Sequence, residues 1–242
     1  MDPLLLGLVF GLVVVASASQ AVTGFGFVLL TLPVLALAFG PHTAVVACVV
    51  VGIVLTAWGW WQTRADVSYD PMRLLMIGCV IGLPVGLLVF TRISERGLLV
   101  LIGILIITSA LLLIARVRIP SGRGALLAAG TLSGALLVTT GTNGPPMAIS
   151  LQAARLTARQ FRATLQALMT VQSIAAVALF AGTGRITATV LTIAAVGVPA
   201  IIIGWHVGER VFRRLSAEAV RRVVLGALFV NGTVLVVSAL RQ

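Results

Sequence analysis

Two short stretches of this chain carry residues suited to holding a charged small molecule: Thr23-Gly-Phe-Gly-Phe27 and Thr140-Gly-Thr-Asn-Gly-Pro-Pro146. Each interrupts an apolar run. A helix that begins in apolar surroundings presents backbone N–H groups without intrahelical partners and about half a positive charge. Gly24, Gly26, Gly141 and Gly144 permit an unwound backbone and a close approach by a ligand, with Phe25 between the first pair. Pro145 and Pro146 suit the first turn of a helix, where no hydrogen bond is lost. Thr23, Thr140, Thr142 and Asn143 add side-chain donors. Two such helix starts facing each other would bind a small tetrahedral or pyramidal oxyanion. The competing reading is structural: the glycines allow tight helix packing and the prolines kink a helix.

Polar neighbours extend the candidate set. Ser19 and Gln20 precede the first break, Gln152 follows the second, and Gln166 and Gln172 lie in a later apolar run. An intramembrane Gln needs a partner, either a substrate or the next helix, and each of these taken singly reads as an interhelical hydrogen bond. His206, in Gly204-Trp-His-Val-Gly208, is the titratable side chain placed within an apolar segment. It could relay a proton or contact an anion, or reach headgroups from near its segment's end. His42, beside Pro41, reads as interfacial. Arg162, just before an apolar segment, either gathers anions toward the site from the cytoplasmic side or marks topology.

Asp2, Asp66, Asp70, Glu95, Glu209 and Glu218 all fall at ends or in gaps, so no buried carboxylate is expected to couple transport to protons. Coupling would then use His206, a cation held by backbone carbonyls, or co-movement of a protonated anion. With no His or acid cluster, neither a metal site nor a catalytic residue is assigned, and the expectation is a non-enzyme without an organic cofactor.

The elements that must position these residues are membrane helices. Apolar residues make up 60% of the chain, charged residues 10%, and mean hydropathy is +1.16. That composition excludes a soluble domain and makes the lipid bilayer the first partner. The net charge of +11 comes from 17 arginines, no lysine and six acids. The arginines sit in short gaps between oily runs, so the charge reads as membrane topology and no nucleic-acid partner is implied. Cys48 and Cys79 lie inside apolar runs and read as small buried hydrophobes. Met1-Asp-Pro lacks a basic leader region, so the first apolar stretch is expected to remain in the mature protein.

Apolar segments run at roughly 3–22, 26–39, 43–61, 74–91, 97–115, 124–140, 145–154, 163–181, 186–208 and 219–240. Eight approach the roughly 20 residues needed to span hydrocarbon. The second and seventh do not, and these directly follow the two breaks. Residues 3–39 and 124–154 therefore read as two broken-helix hairpins, with the third to fifth and eighth to tenth segments as full crossings; whether segments 2 and 7 cross fully is left open.

The halves also repeat in sequence. Ile81-Gly-Leu-Pro-Val-Gly-Leu-Leu-Val-Phe-Thr-Arg-Ile-Ser94 matches Ile203-Gly-Trp-His-Val-Gly-Glu-Arg-Val-Phe-Arg-Arg-Leu-Ser216 at 8 of 14 positions. The expected organisation is one all-α membrane domain over residues 1–242, with repeat 1 at about 1–116, a linker at 117–123 and repeat 2 at about 124–242. If each hairpin returns to its starting face, the repeats are inverted and the arginines divide 13 to 4 between the faces, against 10 to 7 for parallel repeats. The positive-inside rule prefers inversion, with both termini periplasmic.

The Gly-rich break, the Gly-x-x-x-Gly helix with its short Arg-bearing turn, and the duplication of both resemble the TauE/SafE sulfite exporter family, also called the toluene-sulfonate uptake permeases. That family's usual first motif is richer in glycine than Gly24-Phe25-Gly26-Phe27. The resemblance covers nearly the whole chain and implies a bacterial inner-membrane permease for a small sulfur-containing anion, sulfite or an organosulfonate, often in export. A passive anion channel, or a permease for another small carboxylate or inorganic anion, is the alternative. Homo-oligomerisation is left open by the sequence.

Overall fold

The computed structural model describes residues 3–23, 26–115, 122–152, 154 and 156–212. The tenth apolar segment, 219–240, lies outside them. The described residues form nine α-helices and one short 3-10 turn: α1 (Pro3–Thr23), α2 (Phe27–Phe39), α3 (Pro41–Thr63), the turn Arg64–Asp66, α4 (Tyr69–Arg92), α5 (Glu95–Ala115), α6 (Arg123–Thr140), α7 (Gly144–Gln152), α8 (Ala158–Gly182) and α9 (Ala188–Phe212). Six of them, α1, α3, α4, α6, α8 and α9, are long and apolar enough to cross a membrane. The chain is an all-α, multi-pass membrane protein.

Residues of the two breaks divide helices. α2 has 13 residues and α7 has nine. At 1.5 Å per residue they extend about 20 and 13 Å, short of the roughly 30 Å hydrocarbon layer. Gly40 then turns α2 into α3, with φ 81 and Pro41 opening the new helix.

Glycine sets how closely the long helices approach. The most extensive helix pair is α4 with α6. A Cβ added at Gly78, Gly82 or Gly86 would fall 2.2 Å from the Leu127 carbonyl oxygen, 2.0 Å from that of Thr131 and 2.3 Å from that of Ala135. From the other side, Gly130 and Gly134 press on the Leu75 and Cys79 carbonyls. The second pair is α1 with α9, where Gly204 meets the Val14 carbonyl and Gly208 that of Ala18. Contacts of backbone on backbone require glycine in hydrocarbon, where close packing rather than water exclusion joins helices.

Both pairs advance together along their sequences and so run parallel. α3 runs parallel to α9, since Gly197 meets Val51 and Gly59 meets Trp205. It is antiparallel to α8: Gly59 near its end touches Gln166, while His42 at its start stacks on Phe90, which in turn touches Phe180. The matched glycines of the repeated motif have matched partners. Gly82 and Gly86 meet Thr131 and Ala135, ten and six residues before Gly141; Gly204 and Gly208 meet Val14 and Ala18, ten and six residues before Gly24.

The main core gathers at the centre of the bundle, with Leu32, Val45, Leu55, Leu98, Phe180 and Trp205 almost fully buried. His42 Nε2 donates to the Phe90 carbonyl, 3.2 Å away, and ties α3 to α4. Trp58 and Trp61, near the end of α3, face outward as an aromatic belt would.

Candidate functional site

α1 ends at Thr23 and α2 starts at Phe27; α6 ends at Thr140 and α7 starts at Gly144. The two interruptions converge. Gln20, Gly26, Val28 and Leu29 from the first and Gly141, Thr142, Asn143, Gly144 and Pro145 from the second line one cavity of about 10 Å³, with Met169 of α8. A second cavity of about 20 Å³ adjoins it, sharing Gln20, Val28, Gly141, Asn143 and Met169 and reaching Cys48, Thr56 and Ser173. Each has room for about one water.

The local backbone follows from the glycines. Gly26 precedes α2 with φ 121, and Gly141 ends α6 with φ 69, both in the region an L side chain rarely adopts. Gly141 donates to the Leu137 carbonyl at 2.9 Å and so terminates α6, in the manner of a left-handed cap. A Cβ there would also come within 3.3 Å of Val28.

Gln20 occupies the first helix start. Its Oε1 accepts a hydrogen bond from the Phe27 backbone N–H at 3.1 Å, capping α2 from the preceding helix. That donor fixes the amide's orientation, so Nε2 is the free end. It is buried and has no hydrogen-bond partner among the described residues. At the second start, Asn143 Nδ2 donates to Gln172 Oε1 at 3.2 Å, and the Ser133 hydroxyl donates to the same oxygen at 3.0 Å. Gln172 Nε2, also buried, is likewise without a partner among the described residues. The unused groups at the two breaks are therefore N–H donors. Among the described residues, no Asp, Glu, Arg or His lines either cavity. Among the described residues, the positive potential there comes from helix starts and amide dipoles.

The two starts are not equivalent. Pro145 and Pro146 carry no N–H, so α7 contributes its dipole and the preceding Asn143, while α2 contributes amides. Thr140 donates to the Leu136 carbonyl on its own helix and does not line the cavity. Thr142 lines the cavity and donates to the Thr140 carbonyl at 3.2 Å. Gly24, Phe25 and the Thr23 side chain lie outside the described residues.

The other candidates scatter. Gln166 is buried against Gly59, apart from the cavities. Gln152 is exposed at the end of α7. His206 is exposed, with Nδ1 2.7 Å from the Ile202 carbonyl, and lines an outward apolar groove with Trp58 and Trp61. Arg162 lies at the start of α8, away from both cavities. Sequence reasoning did not place Ser133, Met169, Thr56 or Ser173 at the site. Ser133 and Ser173 were visible as polar residues in apolar runs, but which way they face depends on packing. Gln172, read as an interhelical bond, does make one, with Ser133 of α6, and it also accepts from Asn143 in the break.

The chain is 28% identical over 229 residues to the probable sulfite/organosulfonate exporter TauE of Cupriavidus necator, covering 91% of this chain and 90% of that protein. No solved structure matches it. The family profile described as sulfite exporter TauE/SafE matches residues 9–235, from α1 through both glycine-rich breaks to beyond α9. The chain therefore belongs to the sulfite exporter TauE/SafE family, a family of bacterial membrane transporters.

Proposed function

We propose that this protein is a permease that moves a small sulfur-containing oxyanion, sulfite or an organosulfonate, out of the cell by alternating access. The observation that carries the reading is the convergence of two helix starts on one cavity whose unused polar groups are donors. A guest that brings only acceptors satisfies Gln20 Nε2 without leaving a protein acceptor buried and unpaired. The relative in Cupriavidus necator supplies the substrate class. In the proposed complex, Gln20, Gly26 and the α2 start face the anion from one side, with Thr142, Asn143, Gly144 and Pro145 on the other.

The repeats are read as inverted. What supports this is that α1, α3 and α9 run one way, while their repeat counterparts α6, α8 and α4 run the other, and that matched glycines choose matched partners. The arginines at the α4, α6 and α8 starts and the α3 and α9 ends (Arg64, Arg73, Arg123, Arg159, Arg162, Arg210) would be cytoplasmic, with Arg92, Arg96 and Arg185 opposite. Both termini would then be periplasmic.

Cavities of about 10 and 20 Å³ are too small for a four-atom oxyanion, so the walls must part to load it. That favours a carrier over an open channel. The moving bodies would be the glycine-welded pairs α4–α6 and α1–α9, each joining one repeat to the other, rather than the two repeats as blocks.

Three measurements test the proposal. Asn143→Leu should abolish sulfite or sulfonate transport in proteoliposomes while the protein keeps its thermal stability; normal transport would remove the site. Wild-type protein should be stabilised against heat by sulfite or sulfonates and not by carboxylates, and should show counterflow, which a channel cannot.

A further inference from the structure

We propose that Arg162 is an outer anion-binding step, placed between the cytoplasmic surface and the central cavity and separated from it by a plug of Trp205 and Gln166. This rests on the permease reading above.

Eight of the nine described arginines are exposed, and Arg162 alone is half-buried. Its Nε is buried without a hydrogen-bond partner among the described residues. The described ion pair on this surface is Arg159 with Asp66, at 3.4 Å, and Arg64 bonds the Trp61 carbonyl and stacks on its ring. Among the described residues Arg162 has no such ion pair. Glu209 on α9 acts on its charge from beyond ion-pair distance. A half-buried guanidinium with an unpaired Nε–H retains a fork of donors that suits a tetrahedral or pyramidal oxyanion.

Its position connects it to the cavity. Arg162, Gln166, Met169 and Ser173 recur at four, three and four residues, which sets them on one stripe of α8. Met169 and Ser173 line the cavity, and Met169 stands seven residues, about 10 Å, farther along the helix than Arg162. Between them lies a tight layer. The Arg162 guanidinium is 5.5 Å from the centre of the buried Trp205 ring. A Cβ added to Gly59 would stand 3.0 Å from Gln166 and 3.1 Å from Trp205, so α3 closes directly on this pair. An anion arriving at Arg162 sheds water beside an apolar wall before the layer opens.

Trp205 reports on the step. Substituting Trp58, Trp60 and Trp61 by Phe leaves it the only indole of the chain's four. In nanodiscs at constant ionic strength, methanesulfonate titrated against chloride should change Trp205 emission saturably. Arg162→Gln should weaken the apparent affinity about tenfold or more, the size expected for losing a hydrogen bond to a charged group, and Arg162→Lys should restore part of it. Asn143→Leu should keep the signal, since the outer step precedes the central site. The proposal is overturned if the parent gives no saturable change, if Arg162→Gln titrates like the parent while folded by thermal unfolding, or if Asn143→Leu abolishes the signal. Retained signal with normal Asn143→Leu transport would instead sink the central site and leave the outer step standing.

Discussion

Replacing Gly82 by Ala adds a single methyl, and the geometry around it says how much that should cost. The new Cβ would stand 2.0 Å from the Thr131 carbonyl oxygen and 2.8 Å from its carbon. Carbon and carbonyl oxygen approach comfortably only to about 3.3 Å, so α4 and α6 must separate by on the order of 1 Å. The obstacle is backbone, which cannot rotate away as a side chain would. Overpacking of this kind typically costs about 1–3 kcal/mol, which in a chain of this length lowers the unfolding midpoint by on the order of 5 °C. Gly204→Ala is the matched perturbation in the other pair, with Val14 oxygen at 2.4 Å and Ser17 Oγ at 2.3 Å. It should give a loss of similar size. Gly11→Ala is the control, since nothing lies within 4 Å of its added Cβ; its midpoint should stay level or rise slightly. The assay is thermal unfolding of purified protein in one detergent, followed by transport in liposomes. If Gly82→Ala and Gly204→Ala melt with Gly11→Ala, the backbone-on-backbone packing does not hold the pairs together, and the moving bodies proposed above lose their basis.

Two further predictions concern the cavity. Gln20→Leu removes both the acceptor for the Phe27 N–H and the free Nε2, leaving a buried N–H unpaired at a cost of about 1–3 kcal/mol. Calorimetric sulfite affinity should fall roughly 10–100-fold; an unchanged value would place the anion elsewhere. Cys48 lines the cavity while Cys79 packs beneath Gly134, so in a Cys79→Ala background a small membrane-permeant thiol reagent should label Cys48 only when the walls part. Substrate should alter that rate, and equal labelling with and without substrate would argue that Cys48 does not face the transport path.

The sequence by itself settled the class. An apolar fraction of 60% cannot be accommodated outside lipid, and Gly-x-x-x-Gly in two copies announces close helix approach. It also marked the two breaks, because a glycine cluster followed by a segment too short to span has few other uses in hydrocarbon. α2 and α7 start at Phe27 and Gly144, as that reasoning requires.

Pairing and facing belonged to the tertiary structure. Nothing local tells Gly82 that it will lie on Thr131, 49 positions away, or tells Gln20 that its amide oxygen will cap α2. Gln172 and Gln166 are alike in sequence, each a lone amide in an oily helix. Six residues is about 600° of helix rotation, which leaves them about 120° apart and puts one against Asn143 and the other against Gly59. His206 looked like the buried titratable group, but it faces outward, because Gly204 and Gly208 turn the opposite side of α9 onto α1. Hydropathy reports how oily a segment is; the azimuth of each polar side chain is decided only when helices lock together.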